Sequence, residues 1–450
     1  MQTDYGETFA PTAKFVTVRL LFAIAALCGG TVWHMDVRNA FCNAELPDEN
    51  PVYMEIPEGY ERSGFVVRLR KVLYGLKNSP RAWFDTLKAF MLSLGFVACY
   101  FDPCLFIFSD NKQIVLLVCI YVDDCLIAGL PHLRDWFRSE IKKEYVMDDL
   151  GICERFVGIQ VVHVARGIIL HQRDYVHKIL KRFGMFECRP SSTPMAAGVE
   201  LPGSTENVEE YPYRSVVASL LYLAIATRAD IAFTVQQLSR FLNAPGNLAI
   251  ATAQRCLRYI KGTAQHGILY CNTVQDIIGR YYELTWSPSH VVGFSDADWA
   301  GDRPTRRSTS GMIVVFNGTL ISWWSRLQRI VAVSTQEAEY ISSSDAACDL
   351  MFLRHLLASL NFDTTNTVAS PTPLLVDNNA AISLSKNPID HQRSKHIDIR
   401  YHYIRERVEN KDIATLYCST DKQLADVMTK ALGPEKHKVN VSGLGIKCHQ

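Results

Sequence analysis

Residues Ile114 to Gly129 read IVLLVCIYVDDCLIAG. Two apolar, β-favouring runs flank the acidic pair Asp123 and Asp124. Buried strands come in such runs and turns in such polar breaks, so the stretch predicts a hairpin with two carboxylates at its tip. Carboxylates are costly to desolvate unless they are paired or ligate cations, which points to a divalent-metal site. Asp is also a common turn residue, and a solvated turn is the alternative on this stretch alone.

Working outward, strand and helix signals alternate over the first third of the chain. An apolar run from Val18 to Gly30 is too short and too internal for a membrane span, and predicts a buried helix. Asp4 and Glu7 precede it without a basic n-region, so no signal peptide is expected. Asp36 ends the next strand signal. Val52–Ile56 and Phe65–Leu69 predict short strands, and residues 81–94 predict a helix stopped by Gly95. Residues 133–145 predict an amphipathic helix, Phe156–Val164 a strand, and Ile168–His171 another. If the strands carrying Asp36 and Asp123 are neighbours, their carboxylates converge. Two metals about 4 Å apart could then activate a hydroxyl and stabilise a leaving oxygen in phosphoryl transfer. Hard oxygen ligands point to magnesium.

The net charge of +1 neither demands nor excludes a nucleic-acid partner, because a groove needs only local positive charge. The thirteen cysteines form no C-x-x-C pair, so free thiols in a reducing compartment are expected rather than zinc or a disulfide framework. Residues 172–285 read as mainly helical, with helices expected at Tyr175–Phe183, Ser215–Ala226, Ile231–Leu242 and Ile250–Ile260, and a connector at 190–212. From residue 286 strands return. Asp296 and Asp377 sit at strand ends, Glu337 on a long helix over about 336–360, and Asp426 on an expected last helix, about 422–432, capped by Ser419 or Thr420. Strand-borne acids joined by helix-borne ones suit a second two-metal site. Asp298 competes with Asp296, and Glu339 with Glu337. About 200° of helix separates the two glutamates, so one site cannot use both. Asp296 and Glu337 are the preferred members.

The sequence resembles the reverse transcriptase–RNase H region of copia-type LTR retrotransposon polyproteins. In the first part the resemblance rests on DYGETFAPTAKFVTVRLL, MDVRNAF, VYMEIPEGY, LYGLKNSPRAW, FDPCLFI, YVDD and FVGIQV, in the family's order. In the last part it rests on GFSDADWAGD, RRSTSGMIVVF, ISWWSR, STQEAEY, VDNNAAI, KHIDIRYHYIRE and QLADVMTK. YVDD alone is a weak motif, whereas the ordered set is specific.

The resemblance implies a multidomain α/β and α+β protein. Its parts are a reverse transcriptase palm with partial fingers (1–170), a mainly helical thumb- or connection-like region (171–285), an RNase H-like domain with a mixed sheet (286–434) and a C-terminal tail (435–450). It implies RNA-directed DNA polymerase and ribonuclease H activities, each using two Mg2+ ions. Asp36, Asp123 and Asp124 would serve polymerisation, with Asp124 in support. Asp296, Glu337, Asp377 and Asp426 would serve RNA cleavage, with His396 as an auxiliary group. Phe41 would exclude a 2′-hydroxyl, and Gly75, Lys77, Asn78 and Pro80 would lie near the nascent base pair, Asn78 standing where the family usually has Gln. Arg228, Arg240, Arg255, Arg258 and Lys261 are candidates for duplex phosphates, against a solvated-face alternative. The implied partners are an RNA template, a DNA primer, an RNA–DNA hybrid and deoxynucleoside triphosphates, inside the cell in a cytoplasmic particle or the nucleus. No membrane association is expected. The family's fingers begin upstream of DYGETFAP, so the sequence reads as N-terminally truncated. The rival reading is a truncated or co-opted remnant that binds nucleic acid without polymerising, retaining at most RNase H activity.

Overall fold

The hairpin expected from residues 114–129 forms at the centre of a six-stranded antiparallel sheet. The computed structural model describes residues 8–46, 51–60, 64–110, 113–201, 211–271, 291–360, 370–386 and 398–448. Contacts divide the chain into two units, Met1–Leu21 with Gly30–Cys153, and Phe22–Gly29 with Glu154–Gln450. No described helix is long and apolar enough to cross a membrane.

The strands of the first unit are β1 (Trp33–Val37), β2 (Tyr53–Glu55), β3 (Val66–Arg68), β4 (Val97–Ala98), β5 (Leu105–Asp110), β6 (Gln113–Tyr121), β7 (Asp124–Gly129) and β8 (Met147–Ile152). The main sheet runs β4-β5-β6-β7-β1-β8, and β2 pairs separately with β3. Helices Ser79–Ser93 and Pro131–Glu144 cover the sheet. Trp83, Leu87 and Met91 from the first, and Phe137 and Ile141 from the second, share one core with Val118, Ile120 and Ile127 of the hairpin. Burying the hairpin's apolar runs under these helices fixes its register, because a one-residue slip would turn that apolar set outward.

The second unit contains two sheets. One holds β9 (Arg155–Phe156), β10 (Ile159–Val164), β11 (Gly167–His171), β12 (His266–Cys271) and a strand near the C-terminus. The other holds β13 (Val291–Asp302), β14 (Arg307–Phe316), β15 (Thr319–Leu327), β16 (Thr372–Val376) and β17 (Ile413–Tyr417), with β18 (Ile446–Cys448) being the strand that closes the first. β16 runs parallel to β13 and β17 while β13, β14 and β15 are antiparallel, which is the expected mixed sheet. Helix Thr335–Ser359 packs on this sheet. Helices Arg173–Arg182, Tyr213–Ala226, Ala232–Ser239 and Asn247–Gly262 share a core that includes Ile179, Leu220, Leu238 and Leu257.

Several elements differ from expectation for identifiable reasons. The strand expected over 156–164 is interrupted at Val157 and Gly158, both at positive φ. The contact boundary falls at 153/154 rather than 170/171, because β9–β11 pair onward with β12. That pairing is close: Gly167 has φ +146°, and a Cβ there would lie 1.8 Å from the Tyr270 carbonyl oxygen. Residues 435–448, expected as a tail, contain most of helix Pro434–Gly443 and β18, which build onto the same unit. The expected last helix is two short 3-10 turns, Thr420–Lys422 and Leu424–Met428. Between them Gln423 is extended; its side-chain N–H donates to the Ser295 carbonyl at 2.9 Å, and its side-chain oxygen accepts from Ala425 N–H. That tertiary tether replaces helical continuity. Among the described residues all thirteen cysteines are free.

Candidate active sites

In the first unit β1 lies between β7 and β8, and register alone lines up Asp124, Asp36 and Asp148 across the three strands. Directly opposed residues share a face, so one end of the sheet carries a row of acids. Asp123 occupies the two-residue turn between β6 and β7, and its carbonyl accepts from Val37 N–H at 3.0 Å. The other turn residue, Val122, has φ 61°. Positive φ is unfavourable for a β-branched side chain. The Trp83 indole N–H donates to the Val122 carbonyl at 2.7 Å and pins the tip.

The four acids have different partners. Asp148 pairs with Arg38, whose Nε donates to both carboxylate oxygens at 2.8 Å. Asp124 faces His34, with Oδ1 2.5 Å from Nε2. Burial, and then the charges of Asp123 and Asp124, push the Asp36 carboxyl up; burial does the same to Asp123, with Asp124 adding to it. Asp36 and Asp123 are thus electrostatically coupled acids whose repulsion a cation would relieve.

Phe41 sits on the 3-10 turn Ala40–Asn43, entered through Asn39 at φ 50°. Its ring packs on Tyr74 with centroids 4.6 Å apart. Burial, then the Asp123, Cys42 and Asp36 charges, push the Tyr74 hydroxyl up, which places that ring beside the acids. Gly75 has φ +98° and turns the chain toward Lys77, Asn78 and helix Ser79–Ser93. Asn78 is the N-cap by position, without a side-chain capping bond. Pro80, Phe41, Trp83, Phe9, Ile120 and Val122 are among the walls of an apolar cavity of about 490 Å³ behind the tip. His34, Tyr74 and Asp148 were not singled out from sequence. The signal for His34 and Asp148 is parity, since His34 shares a strand face with Asp36, as does Asp148 in the facing register; Tyr74, in the loop before helix Ser79–Ser93, carries none.

In the second unit Asp296, Asp377 and Asp426 bring ligand oxygens within 4.8 Å of one another, the one such acid group among the described residues. Asp296 is on β13, Asp377 follows the last residue of parallel β16, and Asp426 lies on the turn Leu424–Met428. Gly311 pairs with Asp296 across β13 and β14. A Cβ at Gly311 would meet Met428 Cβ at 2.6 Å and Thr429 Cγ2 at 2.7 Å. Glycine there lets the turn press against the sheet, which is what sets Asp426 beside Asp296. Thr420 donates to Asp377 Oδ2 at 2.9 Å, and the Thr429 hydroxyl donates to Asp296. Burial raises the Asp296 carboxyl to about 7, against the lowering effect of Lys430.

Of the two candidate glutamates, Glu339 lies near enough to Asp296 and Asp377 for their charges to act on it, whereas Glu337 is engaged at the helix start. Glu337 is at N3 of an S-x-x-E capping pattern begun by Ser334: its N–H bonds the Ser334 hydroxyl at 3.1 Å and its Oε2 accepts from Val333 N–H at 2.7 Å. Both of its capping roles hold it at the helix start. Glu339 Oε1 accepts from Ala297 N–H at 3.1 Å, while its buried Oε2 has no hydrogen-bond partner among the described residues. Burial, then Asp296 and Asp377, hold the Glu339 carboxyl far above the usual range. The S-x-x-E pattern of Ser334–Glu337 was the sequence signal that could have separated the two. An all-oxygen donor set in which Glu339 Oε2 and both Asp426 oxygens are buried without a hydrogen-bond donor among the described residues, Asp426 having only ion-pair contacts to lysines, fits a hard divalent cation.

Asp298 is partly buried and raised by that burial, but it is outside the triad. His396 lies outside the described residues. Arg228 is corrected as a phosphate contact. It is 1% exposed, pairs with buried Asp230 at 2.8 Å, and shares that acid with the Tyr259 hydroxyl at 2.7 Å. Arg240 bonds Asp302 at 2.6 Å, and Arg255 bonds Thr193 at 2.8 Å.

Residues 1–197 match the family described as "Reverse transcriptase (RNA-dependent DNA polymerase)". The chain is 37% identical over 97% of its length to the retrovirus-related Pol polyprotein from transposon TNT 1-94 of Nicotiana tabacum, covering 32% of that protein. It is 36% identical over 98% of its length to the corresponding polyprotein from transposon RE1 of Arabidopsis thaliana, covering 29% of that protein. The chain therefore spans about a third of the length of these relatives. A solved structure of a foamy viral protease–reverse transcriptase with double-stranded DNA is similar over 87% of this chain and 57% of that one, at 12% identity and a TM-score of 0.46.

Proposed function

Since the chain belongs to the Pol polyproteins of copia-like transposons, with a reverse transcriptase domain over residues 1–197, we propose that it polymerises DNA on an RNA template at Asp36 and Asp123 and cleaves the RNA of an RNA–DNA hybrid at Asp296, Glu339, Asp377 and Asp426. The observation that supports this reading is the presence of two separate acid clusters, one on a hairpin and its neighbouring strand, the other on two strands and a 3-10 turn.

At the first site Asp36 and Asp123 would hold magnesium, and Asp124, engaged by His34, supports them. The Phe41 ring, which packs on Tyr74, would exclude a 2′-hydroxyl and select deoxynucleotides. Pro80 lines the cavity beside Phe41, and Gly75, Lys77, Asn78 and Pro80 would meet the template–primer end and the incoming triphosphate.

At the second site the three aspartates with Glu339 would hold the metal. Bound at either site, magnesium would activate the attacking oxygen and stabilise the leaving one. The chain's own part is to aim the carboxylates: Thr429 orients Asp296, Thr420 orients Asp377, and the Gly311 contact seats Asp426. The proposed partners are a primer, an RNA template, a hybrid and deoxynucleoside triphosphates. The proposed domain order is palm, connection and RNase H.

The test is magnesium-dependent primer extension on an RNA template, run beside cleavage of a labelled hybrid. Extension abolished by Asp123→Asn supports the first assignment. Extension that persists in that variant overturns it.

A further inference from the structure

The acid cluster of the second unit carries two cations of its own. Lys430 Nζ lies 2.8 Å from Asp426 Oδ1 and 3.7 Å from Asp296 Oδ2. Lys436 Nζ contacts the other oxygen of Asp426. The acids are sealed, with side-chain exposures of 0% for Asp426 and 2% for Asp296, whereas the lysines are 39% and 37% exposed. The carboxylates are therefore sealed, whereas both lysine side chains reach the surface.

One short segment arranges this. Asp426 supplies the acid, Thr429 donates to Asp296, and Lys430 spans both aspartates. Lys436 comes from the first turn of helix Pro434–Gly443, and its ammonium also bonds the Thr420 carbonyl at 3.4 Å. Thr420 is the residue that orients Asp377. Both lysines are thus wired to the ligands through their own backbone neighbourhood.

Charge counting says what they do. Buried like charges this close repel strongly and need a counter-ion. The lysine pair supplies the same formal charge as one divalent cation. Lysine heads can be withdrawn along flexible stems, whereas the aspartates are held by strand and turn.

We propose that Lys430 and Lys436 are built-in counter-ions that hold the acid cluster assembled without metal and yield their place to an incoming divalent cation, so that they set this site's metal affinity. They are positioning residues, and the proposal rests on reading the cluster as a metal site. It makes two demands at once. Removing Lys430 must destabilise the metal-free protein, because buried acids lose their partner. The same change must tighten metal binding, because the competitor is gone.

The experiment titrates Mn2+ calorimetrically into the full chain carrying Asp36→Asn and Asp123→Asn, which silences the first site. Adding Asp377→Asn should abolish the remaining heat and so assign it to the second site. In the same background Lys430→Met should bind Mn2+ on the order of tenfold more tightly and melt lower in chelator, whereas Lys430→Arg should stay near the parent on both. Lys436→Met should move both readings the same way by less, and it decides the matter if Lys430→Met does not fold without metal. Unchanged or weaker Mn2+ binding in the Met variants overturns the proposal. Absence of any Asp377-dependent heat in the parent overturns the metal-site reading itself.

Discussion

Asp123 stands half-exposed at a hairpin tip, whereas Asp426 is sealed under a turn with lysines for company. The first site is mostly local. One hairpin supplies two acids, and a single neighbouring strand adds the third by register. The second is assembled from residues up to 130 positions apart, and its pieces are β13, the end of β16, the long helix and a 3-10 turn. The open site keeps Asp36 and Asp123 repelling each other, poised for a cation. The closed site has already answered that repulsion with protein charges. Two clusters with similar chemistry can therefore differ in what they need to stay assembled.

The largest expected effect separates ligands from a supporting acid at the open site. Asp36→Asn should lower primer extension by about 10³-fold or more, since it removes a charge that stabilises the transition state. Asp124→Asn should cost about tenfold, because its partner is His34. Equal losses in steady-state extension would erase the distinction drawn between them.

At the closed site Glu339→Gln should lower hybrid cleavage about 100-fold while leaving the melting temperature about equal in chelator, because burial already holds the carboxyl neutral and the amide oxygen can still accept from Ala297 N–H. Glu337→Gln should leave cleavage within about threefold and cost about 1 kcal/mol of stability through the cap. Cleavage and thermal unfolding measured together would expose a reversed assignment.

Trp83→Phe keeps the ring in the core and deletes the hydrogen bond to Val122. It should cost about 1 kcal/mol and lower extension without touching cleavage. Loss of both activities would mean that the tip depends on more than this bond.

The smallest effect is pH-linked. The Asp296 carboxyl is raised to about 7, above its unfolded value, so its contribution is fully present below the unfolded value and is lost as pH rises through 7. In chelator the melting temperature should fall by on the order of 2 °C between pH 5 and 8. Asp296→Asn should flatten that slope, and a slope that survives it must belong to another group.

The same contrast explains what was legible in the sequence. Ile114–Gly129 announces its hairpin because strand burial and turn polarity are written in adjacent residues. Asp296, Asp377 and Asp426 were found because strand ends and the motif order mark them. Glu339 was passed over in favour of Glu337, although Ser334 and Glu337 spell a capping box. His34 was missed because its partner lies 90 residues away; Lys430 stands four residues after Asp426, a local spacing that was open to reading, but its reach to Asp296 appears only in the fold. Strand β12 was missed for a related reason: six residues containing Gly267 become a strand only when β11 and β18 pair on either side. Arg228 looked like a surface cation because its neutralising partners, Asp230 and Tyr259, meet only in the fold.

The most direct test of two independent acid sites is a crossed assay of primer extension and hybrid cleavage with Asp123→Asn and Asp426→Asn in the full chain. The account predicts that Asp123→Asn abolishes extension and spares cleavage, and that Asp426→Asn does the reverse. Loss of both activities in either folded variant, or loss of neither, would contradict it.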